Sequence, residues 1–278
     1  MDVLRISAFS RAEMGGNPAG VVLLQTLADE DDMARTAAEV GYSETAFAAP
    51  VGDGDWRVRY FAPESEVPFC GHATIALGAA LGEAFGAGTY QLVLNDAKVS
   101  VEVEETPNGM VATLTSPPTR SREATKKERA DTLALFGLTE ADLDDRLPPA
   151  RIHGGADHVV IALSDRARLK AMNYSLDQGR EMMRRHRLVT VMLVYIEDER
   201  VFSARNAFAS GGVLEDPATG AAAAAFAGYL RDVDWPHRGA FTIQQGEDMG
   251  APSLIQVALT DEPGAPVRVS GQTRRIES

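Results

Sequence analysis

Val67-Pro68-Phe69-Cys70-Gly71-His72-Ala73-Thr74 runs directly into Ile75-Ala76-Leu77-Gly78-Ala79-Ala80-Leu81-Gly82, and Glu215-Asp216-Pro217-Ala218-Thr219-Gly220 runs into Ala221 to Ala225 and Phe226. Both segments share one grammar: polar and glycine residues, an Ala-Thr pair, then small apolar residues that read as a buried helix. Ala76, Gly78, Ala79, Ala80 and Gly82 leave almost no polar face, and Ala221 to Ala225 leave none, so each helix must be surrounded by protein. A sheet curled around each helix meets that demand, because Gly and Ala let strands approach the helix backbone closely. Each segment also offers a helix N-terminus whose N–H groups point at a ligand, and two such ends facing each other make a clamp for a small anion.

Around these segments strands and helices alternate in a mixed architecture. Strands are expected at Val3 to Phe9, Gly20 to Leu24, Ser43 to Ala48, Trp56 to Phe61, Tyr90 to Leu94 and Lys98 to Glu104, the last two joined around Asn95-Asp96. Asp29-Glu30-Asp31-Asp32 supplies negative charge at the start of a helix from Met33 to Val40, with Gly41 as its stop signal. Pro117-Pro118 can continue neither element and marks the boundary between domains. The expected division is 1–118, completed by a C-terminal strand 265–278, and 119–264. The second half has strands at Val159 to Leu163, Thr190 to Ile196 and Val201 to Asn206, then the helix Ala218 to Leu230. Arg59 with Phe61 and Arg205 with Phe208 precede the two special segments at similar distances, a faint trace of duplication.

The 278 residues carry a net charge of −13, which argues against a nucleic-acid partner. Thr125-Lys126-Lys127-Glu128-Arg129 is interleaved with acids and reads as a solvated surface. No apolar run is long enough to span a membrane and no basic amphipathic helix suits a membrane surface. Cys70 is the single cysteine, so no intrachain disulfide or structural zinc cluster is expected, and this usage fits a reducing cytoplasm.

Four ordered motifs then carry a family resemblance: Asn17-Pro18-Ala19-Gly20-Val21, Ser43-Glu44-Thr45-Ala46-Phe47, Pro68 to Thr74, and Glu215 to Gly220. Together they resemble the PhzF-like phenazine-biosynthesis family. The resemblance implies the diaminopimelate-epimerase-like α+β fold, in which two similar domains each wrap a mixed sheet around a central buried helix, with the active site in the cleft between them. It further implies a homodimer, a small carboxylate-containing metabolite as substrate, and an isomerase that uses no metal or organic cofactor. The family's named reaction is isomerisation of trans-2,3-dihydro-3-hydroxyanthranilate.

Glu44, at the start of an apolar strand, reads either as an exposed strand-end acid or as a partly buried carboxylate able to take and return a proton. The resemblance assigns it the general acid/base position. His72 lies in the first turn of a buried helix, where the dipole favours neutral imidazole, and it reads as a substrate-orienting or a core histidine. Asp216, followed by Pro217, fits a helix N-cap, and the resemblance adds a substrate contact. The N–H groups around Gly71, His72 and Ala73 and around Thr219, Gly220 and Ala221 could bind a carboxylate. Thr74 and Thr219 bind substrate or bond back to their own helices, and Asn17 holds substrate or shapes the turn before Pro18.

Cys70 stands where two-cysteine racemases of this fold carry their first thiol, but without a second cysteine that chemistry is excluded, and Cys70 reads as a small buried residue. Ala221 stands where the family usually has serine. The missing hydroxyl leaves open a second function, a catalytically reduced homologue that binds a small carboxylate or a partner protein.

Overall fold

Both small-residue stretches are helices, Gly71–Phe85 and Gly220–Asp232, in a computed structural model that describes residues 1–52, 54–95, 97–107 and 109–277. Each helix belongs to its own compact unit, the first formed by Met1–Thr115 with Ser270–Ser278 and the second by Ser116–Val269.

In the first unit Leu4–Ser10, Asn17–Leu23, Thr45–Gly52, Asp55–Phe61, Gly88–Val93, Lys98–Thr106 and Gly109–Thr115 pair in that order. Arg268–Arg275 pairs with both Gly109–Thr115 and Leu4–Ser10, so the sheet closes on itself. Asn17–Leu23 runs parallel to Thr45–Gly52, and Asp55–Phe61 runs parallel to Gly88–Val93. The other pairings from Leu4–Ser10 to Gly109–Thr115 are antiparallel. Helix Gly71–Phe85 touches strands all round this sheet and is buried continuously from His72 to Gly82.

The second unit repeats the pattern with Arg120–Glu123, Ala150–His153, Asp157–Leu163, Thr190–Ile196, Val201–Ala207, Ala240–Gln245 and Ser253–Ala258. Its two parallel pairs again follow an antiparallel pair and flank another, and helix Gly220–Asp232 is the buried centre. The fold is thus two similar α+β domains, each with a mixed sheet curled around one buried helix.

Close approach explains two glycines. A Cβ on Gly78 would stand 2.6 Å from Cγ2 of Val101 on the sheet, and one on Gly154 would stand 2.7 Å from the backbone nitrogen of Ala225 on the second helix. Amphipathic helices add an outer layer. Glu30–Val40 lays Met33 and Ala37 against Val22, Phe47 and Phe61, and Leu176–His186 lays Met182 and Met183 against Val159, Ile161, Val191 and Leu193.

Element ends differ from the sequence reading where polar residues do local work. Glu30, Asp31 and Asp32 form the first turn of their helix rather than preceding it, after Asp29 as N-cap, and Gly41 ends it at φ 72°. The strand after it begins at Thr45, which leaves Ser43 and Glu44 at its entry. The expected turn around Asn95-Asp96 includes Asp96, which lies outside the described residues. Thr125 to Arg129 is only partly a solvated surface: it opens helix Lys126–Leu135 with a capping box in which Thr125 and Glu128 bond to each other's backbone N–H. Glu128 is buried and meets Arg122 and Arg151. Hydrogen bonds from Arg122, then from the Thr125 backbone and Arg151, hold its carboxyl well below the usual carboxylate range. No helix among the described residues is long and apolar enough to cross a membrane.

Gly78→Val is expected to destabilise the chain by roughly 1–3 kcal/mol in urea unfolding, because the new methyls have no room. Val101→Ala in the same chain should recover part of the loss. A depressed carboxyl stabilises the fold above its unfolded pKa, and that stabilisation fades as pH falls toward the folded value. Glu128→Gln should therefore lower the urea midpoint at neutral pH, with the gap to the native chain narrowing from about pH 4 downward.

Candidate active site

In each unit an arginine anchors the short segment that leads into the buried helix. Arg59 on Asp55–Phe61 donates Nε and Nη2 to Glu66, at 2.8 and 2.6 Å, and Arg205 on Val201–Ala207 does the same to Glu215, at 2.9 and 2.5 Å. Glu66–Val67 and Glu215–Asp216 are two-residue strands on equivalent positions of their neighbours. Each ion pair pins the chain just before a helix start. The faint arginine repeat in the sequence was one half of this device, and the glutamates were its unread partners.

In the first unit the N–H groups of Gly71, His72 and Ala73 precede the first intrahelical bond, Thr74 N–H to Cys70 O at 3.0 Å. The Thr74 hydroxyl donates to Cys70 O at 2.7 Å and lies 2.6 Å from the Tyr60 hydroxyl. Thr74 has one proton to give, so Tyr60 is the donor between them. Burial holds the Tyr60 phenol well above its usual range, which keeps that proton in place. The Thr74 hydroxyl therefore serves its own helix start.

His72 and Glu44 meet beside this helix start. The Glu44 main chain is fixed by Gly20 N–H, which donates to its carbonyl at 3.2 Å. Glu44 Oε2 lies 3.4 Å from His72 Nε2, with only 12% and 8% of the two side chains exposed. The contact is close but not aligned as a hydrogen bond, and among the described residues no hydrogen bond reaches Glu44 Oε2. A buried carboxylate oxygen without a donor is open to a proton from a bound molecule, since no other donor competes for it. Ser43 Oγ also faces His72 Nε2 at 3.3 Å, and Cys70 Sγ faces Nδ1 at 3.3 Å. Neither contact was expected from sequence, because Ser43 and Cys70 look like ordinary small residues until the ring is placed between them.

Glu44, Cys70 and His72 bring three donor atoms within 4.8 Å of one another, the spacing of a metal site. The ring arrangement fits a metal poorly: the thiol faces Nδ1 while the carboxylate faces Nε2, so the imidazole stands between the groups that would share an ion. It suits hydrogen bonding and proton exchange along the ring. Asn17 is buried opposite Ala8, at the first position of Asn17–Leu23.

In the second unit the N-cap is Thr219, not Asp216. Pro217 stands before the helix, and Asp216 lies in the short strand opposite Asn206. The Thr219 hydroxyl donates to Asp216 Oδ2 at 2.5 Å instead of capping its helix. Gly220, Ala221 and Ala222 N–H precede the first intrahelical bond, Ala223 to Thr219 O, whereas the Thr219 N–H is committed to Gln245 Oε1 at 3.4 Å. Sequence gave no hint of Gln245, which is far along the chain in an ordinary strand.

Residues 6–277 match the family of phenazine biosynthesis-like proteins, PhzC-PhzF. The chain belongs to this family. It is 29% identical to a relative named as an uncharacterized isomerase, YfhB, of Bacillus subtilis (strain 168), over 97% of this chain and 94% of that one. It is likewise 29% identical to the trans-2,3-dihydro-3-hydroxyanthranilate isomerase of Pseudomonas aeruginosa, over 95% and 91%. Its fold matches the crystal structure of the Bacillus anthracis PhzF-family phenazine biosynthesis protein with a TM-score of 0.86 at 23% identity, covering 99% of this chain and 96% of that one.

Tyr60→Phe removes the proton that fills Thr74 and should lower unfolding free energy by about 1 kcal/mol, measured in urea. Thr74→Val, which also empties the bond to Cys70 O, should cost more.

Proposed function

We propose that this chain is an isomerase that moves a proton between two carbons of a small unsaturated amino or hydroxy carboxylic acid, with Glu44 as both acid and base. The observation that carries the reading is the Glu44 Oε2 atom: buried, reached by no hydrogen bond among the described residues, and 3.4 Å from His72 Nε2 beside a helix start. Glu44 takes a proton from a carbon next to the conjugated system, and the electron pair delocalises toward the substrate carboxylate. The N–H groups of Gly71, His72 and Ala73 suit that growing negative charge. Glu44 then returns the proton to another carbon of the same unit, so the reaction balances without redox change and needs no cofactor. His72 orients the polar substituents, with Nε2 3.4 Å from Glu44 Oε2.

Asp216, Thr219, Gly220 and Ala221 enter the reading through the family resemblance, as groups that bind substrate substituents, and so do Asn17 and a homodimeric assembly, whereas the Thr74 hydroxyl stays with its own helix start. Naming of a relative as trans-2,3-dihydro-3-hydroxyanthranilate isomerase supports that compound as the first substrate to try. Ala221 favours one second reading, a small-carboxylate binding protein without turnover.

The test incubates the native chain and Glu44→Gln with trans-2,3-dihydro-3-hydroxyanthranilate in D₂O and follows ring protons by NMR. The native chain should remove one C–H and create a new sp³ centre carrying proton or deuteron, with Glu44→Gln slower by at least about a hundredfold. Equal rates in the two proteins would overturn the role of Glu44. Line broadening of the compound by both proteins without conversion would favour the binding reading.

A further inference from the structure

Six buried or half-buried side chains of the second unit form a single hydrogen-bonded row. His158 Nδ1 lies 2.7 Å from Thr190 Oγ1, Thr190 Oγ1 lies 3.1 Å from Asn206 Oδ1, and Asn206 Nδ2 lies 3.1 Å from Gln245 Oε1. Gln245 Nε2 lies 2.7 Å from Asp216 O and 3.1 Å from Thr219 Oγ1, and Thr219 closes the row on Asp216 Oδ2.

The direction of every bond can be deduced from the backbone. Asp216 O only accepts, so Gln245 must turn its NH₂ toward it, and Thr219 N–H only donates, so it must meet Gln245 Oε1. Gln245 Oε1 then requires the NH₂ of Asn206, which turns Asn206 Oδ1 toward Thr190. Thr190 spends its one proton there, so His158 Nδ1 must carry a proton and donate it. His158 Nε2 is left bare, buried and without a hydrogen-bond partner among the described residues. Burial lowers the His158 pKa to about 3, in keeping with a neutral ring whose second nitrogen has no acceptor for a proton. The bonds donated by the side chains all point one way, toward Asp216, and each polarises the next. The two amides stop any proton from passing, so the row is not a proton wire.

We propose that His158, Thr190, Asn206 and Gln245 are positioning residues that act in series on Asp216, fixing the orientation of the Gln245 amide and, through Thr219, the direction in which the Asp216 carboxylate points. This rests on the reading above only in taking Asp216 as a substrate-binding group; the row itself is tested without substrate. Its distinctive claim is action at a distance, from a histidine three side chains removed from Thr219.

The experiment uses the full chain labelled with ¹⁵N-histidine and ¹³Cγ-aspartate, with Asp216→Asn to assign the Asp216 signal and His158→Gln to assign the ring. At neutral pH His158 should show the Nδ1–H tautomer, and a proton on Nε2 would overturn the row's direction without needing any variant. Thr190→Val, nearly isosteric, should move the Asp216 ¹³Cγ resonance and the Gln245 side-chain NH₂ resonances, while Thr190→Ser should leave them at their native positions. Unmoved signals in a folded Thr190→Val chain would overturn the proposal. If turnover has been established, Thr190→Val should raise KM about tenfold with a smaller change in kcat. These NMR outcomes stand whether or not Glu44 proves to be the acid/base.

Discussion

The structure depends on one constraint: a helix with no polar face cannot stand against water. Helix Gly71–Phe85 and helix Gly220–Asp232 are lined by alanine and glycine, so each needs a wall of strands on every side. Small side chains let that wall come close, as Gly78 against Val101 and Gly154 against Ala225 illustrate. Enclosure in turn leaves only the helix ends open to other chemistry. At each N-terminal end three N–H groups precede the first intrahelical bond, and the side chains that matter gather there.

The two units use the same frame for different ends. Phe47 stands opposite Arg59, and Leu193 stands opposite Arg205, in matching places of the two sheets. Counting three residues back along each strand puts Glu44 and Thr190 at corresponding positions. Helix starts likewise match Cys70 with Thr219 and His72 with Ala221. The first unit thus holds a carboxylate and an imidazole where the second holds a hydroxyl and a methyl. Thr190 gives its only proton to Asn206, so that corner of the second unit is spent on internal order rather than on acid/base exchange.

Much of this was legible because the decisive signals are local. Small-residue runs, the arginine repeat and Gly41 each announce an element or its end within a few residues. Placement of the Asp216 cap was misread because Pro217 fits a first helical turn as well as the strand exit it occupies, and only the bond from Thr219 separates the two. Glu128 was misread as solvated because its partners Arg122 and Arg151 lie on other elements. Gln245 and His158 were invisible for the same reason: a buried polar row is made by tertiary placement, and none of its members has an unusual neighbour in sequence. Ser43 and Cys70 flank His72 through packing that no spacing rule encodes.

Closure of the first sheet by Arg268–Arg275 has a consequence for the order in which the molecule can be built. The second unit is one continuous stretch, Ser116–Val269, and can complete itself as soon as that stretch has been synthesised. The first unit begins earlier but waits, with Leu4–Ser10 and Gly109–Thr115 presenting open strand edges until the final strand arrives between them. Such edges invite pairing with other chains. The half that carries Glu44 and His72 is therefore the last to be sealed, and a chain cut short after Val269 would hold a finished second unit and an unsealed first one.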